Sequence, residues 1–142
     1  MTPSETVRAY YESYRNPDRE KTDSYVHPEC RIEEPTFLPY GRIGIIGAKA
    51  MHQNVGGVFR KVFELGSRLT DIKYFEHDGC VITNAVWHMT GKYTGRHIPC
   101  HYQEYFEFKD GKISLMRPFY HAAKEMLEEF AAAEAAGVEL TP

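Results

Sequence analysis

Apolar positions along the chain keep a helical period in its first half and a period of two in most of the second. Val7, Tyr10, Tyr11 and Tyr14 fall at i, i+3, i+4 and i+7, one face of an amphipathic helix. Thr2-Pro3-Ser4-Glu5 ahead of them reads as a capping box with Pro at the first helical position. Asn16-Pro17 ends that helix and starts a second, short one carrying Tyr25 and Val26, which Pro28 closes. Residues 30–34 read as a short strand stopped by Pro35, and residues 35–47, with two Pro and three Gly, as a loop. A third helix is predicted over about 48–64. Its core face is Met51, Val55, Val58, Phe59 and Val62, and Gly56-Gly57 weakens it by roughly 1 kcal/mol per Gly relative to Ala.

From Ser67 the period is two, and residues 69–77, 80–93, 97–108 and 112–121 read as four strands. Asp78-Gly79, Thr94-Gly95 and Asp110-Gly111 supply the turns of an antiparallel meander. Residues 122–136 form an Ala- and Glu-rich closing helix with Met126, Leu127 and Phe130 as its apolar stripe and Gly137 as its stop. The order predicts an α+β fold with helices packed on one face of a curved sheet.

The 142 residues are 42% hydrophobic and 26% charged, the balance of one globular domain spanning 1–142 with the helix at 122–137 closing it. Seventeen Lys and Arg against twenty Asp and Glu leave a net charge of −3, which is no footprint of a nucleic-acid partner. No apolar run is long enough for a membrane span, and the N-terminus lacks a signal-peptide core, so a cytoplasmic chain without a membrane partner is expected. Cys30, Cys80 and Cys100 are odd in number and widely spaced, against a disulfide framework or structural zinc. Aromatic residues reach 13%, with ten Tyr. Such ring surface suits a heavily packed core or an apolar pocket with hydroxyls facing inward.

Strand alternation then assigns faces. On residues 80–93 the apolar parity holds Ala85, Trp87, Met89 and Tyr93; the other holds Asn84, Val86, His88 and Lys92. On residues 97–108 Tyr102, Glu104, Phe106 and Phe108 face in, while His101, Gln103, Tyr105 and Glu107 face out. Glu104 is thus a carboxylate on an apolar stripe. Burial there penalises its charged form, so it suits a hydrogen-bond donor when neutral and a base when ionised. The structural alternative is a glutamate tied to an Arg or a backbone amide. Glu33 and Glu34 close a strand and point to opposite sides, so one of them can face inward.

The element order at this length resembles the NTF2-like superfamily, the cone-shaped fold of ketosteroid isomerases and SnoaL-like polyketide cyclases. The resemblance covers residues 4–125. It is carried by Tyr11 ahead of Asn16-Pro17, by Cys30-Arg31-Ile32-Glu33-Glu34-Pro35 and by the hairpin Tyr93-Thr94-Gly95-Arg96-His97. The run Glu104-Tyr105-Phe106-Glu107-Phe108-Lys109-Asp110-Gly111-Lys112-Ile113 and the final Arg117-Pro118-Phe119-Tyr120 complete it. It implies a general base immediately before the matching Pro, which selects Glu34, and an oxyanion-stabilising Tyr at Tyr11, with Glu104 as the second acid. Met116, Pro118 and Tyr120 would join the inner side by the same analogy. Both acids are Glu where the isomerases have Asp. The extra methylene moves each carboxylate by more than about 1 Å and implies a different substrate or reaction. The expected pocket is lined by Met51, Phe59, Phe63, Trp87, Met89, Tyr102, Phe106, Met116 and Tyr120.

No metal is expected. His97 and His101 are about 13 Å apart along a strand, and no His-x-His or His-Glu-x-x-His occurs. His88 and His101 fall on the outer face, and His27 and His77 near turns. His52 lies beside Met51 on the third helix, and His121 follows the last strand. Gly41, Gly44 and Gly47 lack the strand and the Lys-Ser/Thr end of a phosphate loop. An epoxide-hydrolase relay lacks its parts, because Asn84, Val86 and His88 build no Arg-x-Asp pair and Pro118 carries no carboxylate. The expected activity is cofactor-free proton transfer on a small apolar carbonyl compound: isomerisation, aldol-type cyclisation or dehydration. Either Glu34 or Glu104 would be the base. The alternative is a non-catalytic apolar-ligand or dimerisation module. A homodimer through the outer sheet face is expected in either case.

Overall fold

The computed structural model describes residues 1–13, 19–41, 44–64, 66 and 68–141. Tyr14, Asn16, Pro17 and Ser67 lie outside them. Helices α1 (Pro3–Ser13) and α2 (Arg19–Ser24) come first. The capping box is formed: the Glu5 amide donates to Thr2 Oγ1 at 3.2 Å and the Thr2 amide to Glu5 Oε2 at 2.8 Å. Val7, Tyr10 and Tyr11 are buried on the inner face of α1.

The second helix is shorter than its sequence suggests. Strand β1 (Val26–Ile32) already begins at Val26, which pairs in parallel with Ile113 of β6 (Lys112–Tyr120). Pro28 does not close a helix. It sits inside β1 in the stretch between Val26 and Arg31 where the register with β6 shifts, a place where a missing N–H costs no ladder bond. His27, expected near a turn, therefore lies in β1, half-buried and 3.5 Å from Asp110. The predicted loop contains β2 (Ile45–Ile46), which pairs antiparallel with Ile32 and Arg31.

The third helix is not continuous α. It runs as α3 (Gly47–Ala50), a π-helical segment (Met51–Gly56) and α4 (Gly57–Val62). The meander follows as β3 (Arg68–His77), β4 (Cys80–Thr90) and β5 (His97–Lys109), then β6. Asp78-Gly79 and Asp110-Gly111 make the tight turns with both residues at positive φ, 48° and 73° in the first and 53° and 73° in the second. β4 stops at Thr90 rather than 93. Gly91 opens the next turn, its amide donating to the Arg96 carbonyl at 2.9 Å, and Tyr93 is left exposed instead of facing in. The six strands form one curved, unclosed sheet in the order β2-β1-β6-β5-β4-β3, antiparallel except for β1 against β6.

Helix α5 (Ala123–Ala135) packs on α4 and ends at Gly137, whose φ of 88° suits the stop. It also clamps the β4–β5 hairpin. Glu129 is 1% exposed and accepts from Thr94 Oγ1 at 2.7 Å and from Arg96 Nε at 3.1 Å. Arg96 further bonds Glu128 at 2.9 Å and the Glu125 carbonyl at 2.8 Å. Gly91 lies directly against the Glu129 carboxylate, so that a Cβ there would overlap it.

The core divides into two clusters. One gathers around Tyr10, Tyr11, Phe106 and Met116 under α1; the other gathers Phe59, Phe63, Met89, Tyr102, Tyr120 and Phe130 between the sheet, α4 and α5. Among the described residues no helix is long and apolar enough to cross a membrane.

Candidate functional site

The two clusters meet at Glu104. Residues of β5 alternate strictly, with Cys100, Tyr102, Glu104 and Phe106 buried and His101 and Gln103 exposed, so the inward parity read from sequence holds. Glu104 is 6% exposed, and among the described residues no Arg pairs with it. Its Oε1 accepts instead from the Tyr11 hydroxyl and from the Tyr102 hydroxyl, each at 2.8 Å. Tyr11 spends its one proton on Glu104. The 2.9 Å contact between Tyr11 and Thr83 Oγ1 is therefore a bond donated by Thr83. A relay Thr83 to Tyr11 to Glu104 results, closed by Tyr102.

Thr83 was not among the residues singled out from sequence. It lies on the apolar parity of β4 and directly opposite Glu104 in the β4–β5 register, and that pairing is the signal that would have found it.

Glu34 is the second buried carboxyl, 8% exposed, while Glu33 turns outward to Arg117 Nε at 2.8 Å. The Glu33 amide donates to the Met116 carbonyl, extending the β1–β6 pairing past Ile32. Continued by one more residue, that register sets Glu34 level with Pro118, and Pro118 faces Glu104 across β5. The two carboxyls thus occupy one row, two strands apart, with a side chain between them that offers no hydrogen bond.

Their environments raise both acids. Burial pushes Glu104 up to about 7, although the Tyr11 and Tyr102 hydroxyls pull it back. Burial pushes Glu34 up to about 8, with the charge of Glu104 adding to the rise and the Tyr120 hydroxyl opposing it. Burial also lifts Tyr11, Tyr40, Tyr102 and Tyr120 well above the ordinary phenol, with the nearby carboxylates adding to it. All four stay protonated donors at any physiological pH. The thiols of Cys30 and Cys100 are pushed by burial to about 12 and about 11, so neither is a thiolate at neutral pH.

Three buried polar atoms have no partner among the described residues: Glu34 Oε2, the Tyr40 hydroxyl and Trp87 Nε1. Tyr40 belongs to the 35–47 loop, which sequence reading left without a role; no local pattern distinguishes it there. Trp87 packs on Phe59 (ring centroids 5.2 Å apart), Tyr102 (5.0 Å) and Tyr120 (5.8 Å). Phe63 is turned to Phe59 and Phe130, and Met89 is wholly buried in the same cluster. Met51 and Met116 flank the Tyr10 hydroxyl with their sulfurs at 3.5 and 3.4 Å, and Phe106 lies edge-on to both Tyr10 and Tyr11. An open groove of about 600 Å³ runs over β1, β2 and β6 between Arg31, Ile46, Arg117 and Phe119. Of the site residues predicted from sequence, Glu34 alone lines it, so this carboxyl sits between the groove and the interior.

The histidines stay out of this interior. His52 bonds Asp23 at 2.8 Å, and His121 bonds Gln103 on the outer face. His88 and His97 meet edge to edge there at 3.3 Å. Among the described residues no three of His, Cys, Asp and Glu come together as a metal-holding group.

The sequence of residues 7–116 matches the SnoaL-like domain. The chain belongs to the SnoaL-like family. No protein of curated function matches it. Solved structures resemble this SnoaL-like chain closely in fold and distantly in sequence. An NTF2-like protein of Burkholderia thailandensis has a TM-score of 0.80 at 17% identity, over 92% of this chain and 98% of the other. A protein of Pseudomonas putida, provisionally named a polyketide cyclase, has a TM-score of 0.73 at 16% identity, over 91% and 98%. TerC, co-crystallised with polyporic acid, has a TM-score of 0.74 at 20% identity, over 94% and 99%. At such identities the likeness is one of fold, and function has to be argued from the site.

Proposed function

We propose that this SnoaL-like chain is a cofactor-free enzyme that moves a proton on a small, largely apolar carbonyl compound. The observation that carries this reading is the carboxyl pair: two buried glutamates in one row, raised to about 7 and about 8, with tyrosine hydroxyls fixing one of them. Near neutral pH such a pair holds an acid and a base together. Glu104 has the lower value and is the first to ionise, so it takes the proton α to the carbonyl. Glu34 has the higher value and an unpartnered oxygen, so it gives a proton to the carbonyl oxygen. Tyr11 orients Glu104 rather than contacting the substrate oxygen, since its proton is committed. Tyr40, whose hydroxyl is unpartnered, stands beside Glu34 to share the charge of the enolate, while Tyr120 holds Glu34 through its own hydroxyl. The names of the polyketide cyclase and of an isomerase from Bacillus subtilis among the fold relatives are in keeping with such chemistry.

The test is exchange of α-protons of simple ketones into deuterated water, followed by NMR. Catalysed exchange is expected to rise with pH through about 7, as Glu104 ionises, and to fall through about 8, as Glu34 loses its proton. A rate that climbs monotonically with pH would remove Glu34 as the acid. Binding of ketones without any catalysed exchange would leave a ligand-binding module.

The outer sheet face supports a second proposal, a homodimer. Exposed Phe75 and Ile82 pair with each other and adjoin half-buried Tyr105, while exposed Phe119 lies beside Gln103. Sedimentation is expected to give twice the mass of one chain, and Ile82→Lys with Phe119→Lys is expected to give one.

A further inference from the structure

A buried donor without a partner costs about 1–3 kcal/mol, so three of them around one ring call for an explanation. Tyr120 is that ring. Its face lies against Trp87 at 5.8 Å and Tyr102 at 5.1 Å, its hydroxyl interacts with Glu34, and Tyr40 is close enough to raise it electrostatically. Glu34, Tyr40 and Trp87 therefore neighbour one ring, each with a buried polar atom left unpartnered among the described residues. The indole N–H can only donate. A phenol held this far above its ordinary range donates as well. Glu34, protonated through neutral pH, adds a third donor.

A single carbonyl oxygen does not satisfy this set. Glu34 and Tyr40 lie together at the end of β1 and in the loop that follows it. Trp87 lies on β4, on the far side of Tyr102 and Tyr120. We infer that the interior around Tyr120 is a ligand chamber and that its ligand carries two separate acceptor oxygens, one taken by Glu34 and Tyr40 and the other by the Trp87 indole N–H, which makes Trp87 a specificity-determining residue. The inference rests on the chamber being the substrate site proposed above. It names the substrate class as a doubly oxygenated carbonyl compound, whose end at Trp87 has to offer an acceptor because an indole N–H can only donate. Trp87 holds no reacting atom. It sets which end of the molecule reaches Glu34.

Trp87 is the one tryptophan of the chain, so its indole N–H gives a single resonance in a ¹⁵N-correlated spectrum. The probes are 1-tetralone, with one oxygen, and 4-hydroxy-1-tetralone, which adds a second across the ring. The hydroxyketone is expected to bind about tenfold tighter by calorimetry and to move the indole proton downfield, the monoketone to leave that proton near its free position. Trp87→Phe keeps the ring and deletes the N–H, and is expected to bring the two affinities within about twofold. Equal affinities in the unmodified protein, or the same indole shift from both probes, overturn the inference. So does an indole proton showing exchange contacts to a bound water that neither probe displaces, the sign of a hydrated void only. None of these outcomes touches the proton-transfer reading, which stands or falls on the exchange rate of the monoketone. The wild-type resonance decides the matter even if Trp87→Phe fails to fold.

Discussion

Glu104→Gln is expected to lower proton exchange by a hundredfold or more while leaving the protein as stable at pH 7, or more so. Gln keeps the shape and an oxygen for the Tyr11 and Tyr102 hydroxyls, and it removes the charge that burial penalises. The pH dependence fixes the sign. Unfolded, a glutamate titrates near 4.3. Folded, Glu104 titrates at about 7 and Glu34 at about 8. Between those limits the folded chain holds more protons than the unfolded one, so the contribution is full below about pH 4 and is lost as pH rises through 7 and 8. Melting temperature is expected to decline from pH 5 to 9 in the wild type and to decline less in Glu104→Gln. A clear loss of stability in the variant at pH 7 would mean an ionised, structural Glu104, and the catalytic role would fall with it.

Gly91→Ala is expected to be strongly destabilising. The new methyl would displace the Glu129 carboxylate, which is buried and fixed by Thr94 and Arg96. Breaking a buried, paired carboxylate costs on the order of 3–5 kcal/mol. For a domain between the small and middle size classes, that is a fall of roughly 10–20 °C in Tm. The same change in a Glu129→Ala background is expected to cost far less, because the atom it strikes is gone. Equal losses in both backgrounds would put the cost in the backbone of the turn rather than in the clash.

Much of this fold is legible in local sequence because its signals are local. The Thr2–Glu5 box, the Asp-Gly turns and the period-two runs each act within a few residues, and each is found where it reads. Glu104 is legible for the same reason, as a charge on an apolar parity. What is missed depends on distant partners. Val26 is strand rather than helix because β6, nearly ninety residues on, pairs with it. Ile45–Ile46 is strand because β1 is there to receive it. Thr83 needs the β4–β5 register to be seen opposite Glu104, and Tyr40 needs the loop to be folded onto the core. The resemblance to the ketosteroid isomerases selected Tyr11 and Glu34, and both are buried. It does not say that Tyr11 would spend its proton on Glu104.

The π-helical segment at Met51–Gly56 carries one more residue per hydrogen-bonded turn than the α-helix on either side. Everything after it is rotated by about 100°, the angle of one residue. Met51, ahead of the extra residue, looks toward Tyr10; Val58, Phe59 and Val62, behind it, look toward Trp87, and Val55 touches both groups. The segment acts as a phase shifter that lets one short helix serve two cores whose faces do not line up. Its length is therefore under a constraint that its composition is not. Any polar or small residue can occupy an exposed position there, but losing a single residue would swing one of the two halves off its core and leave the other correctly seated.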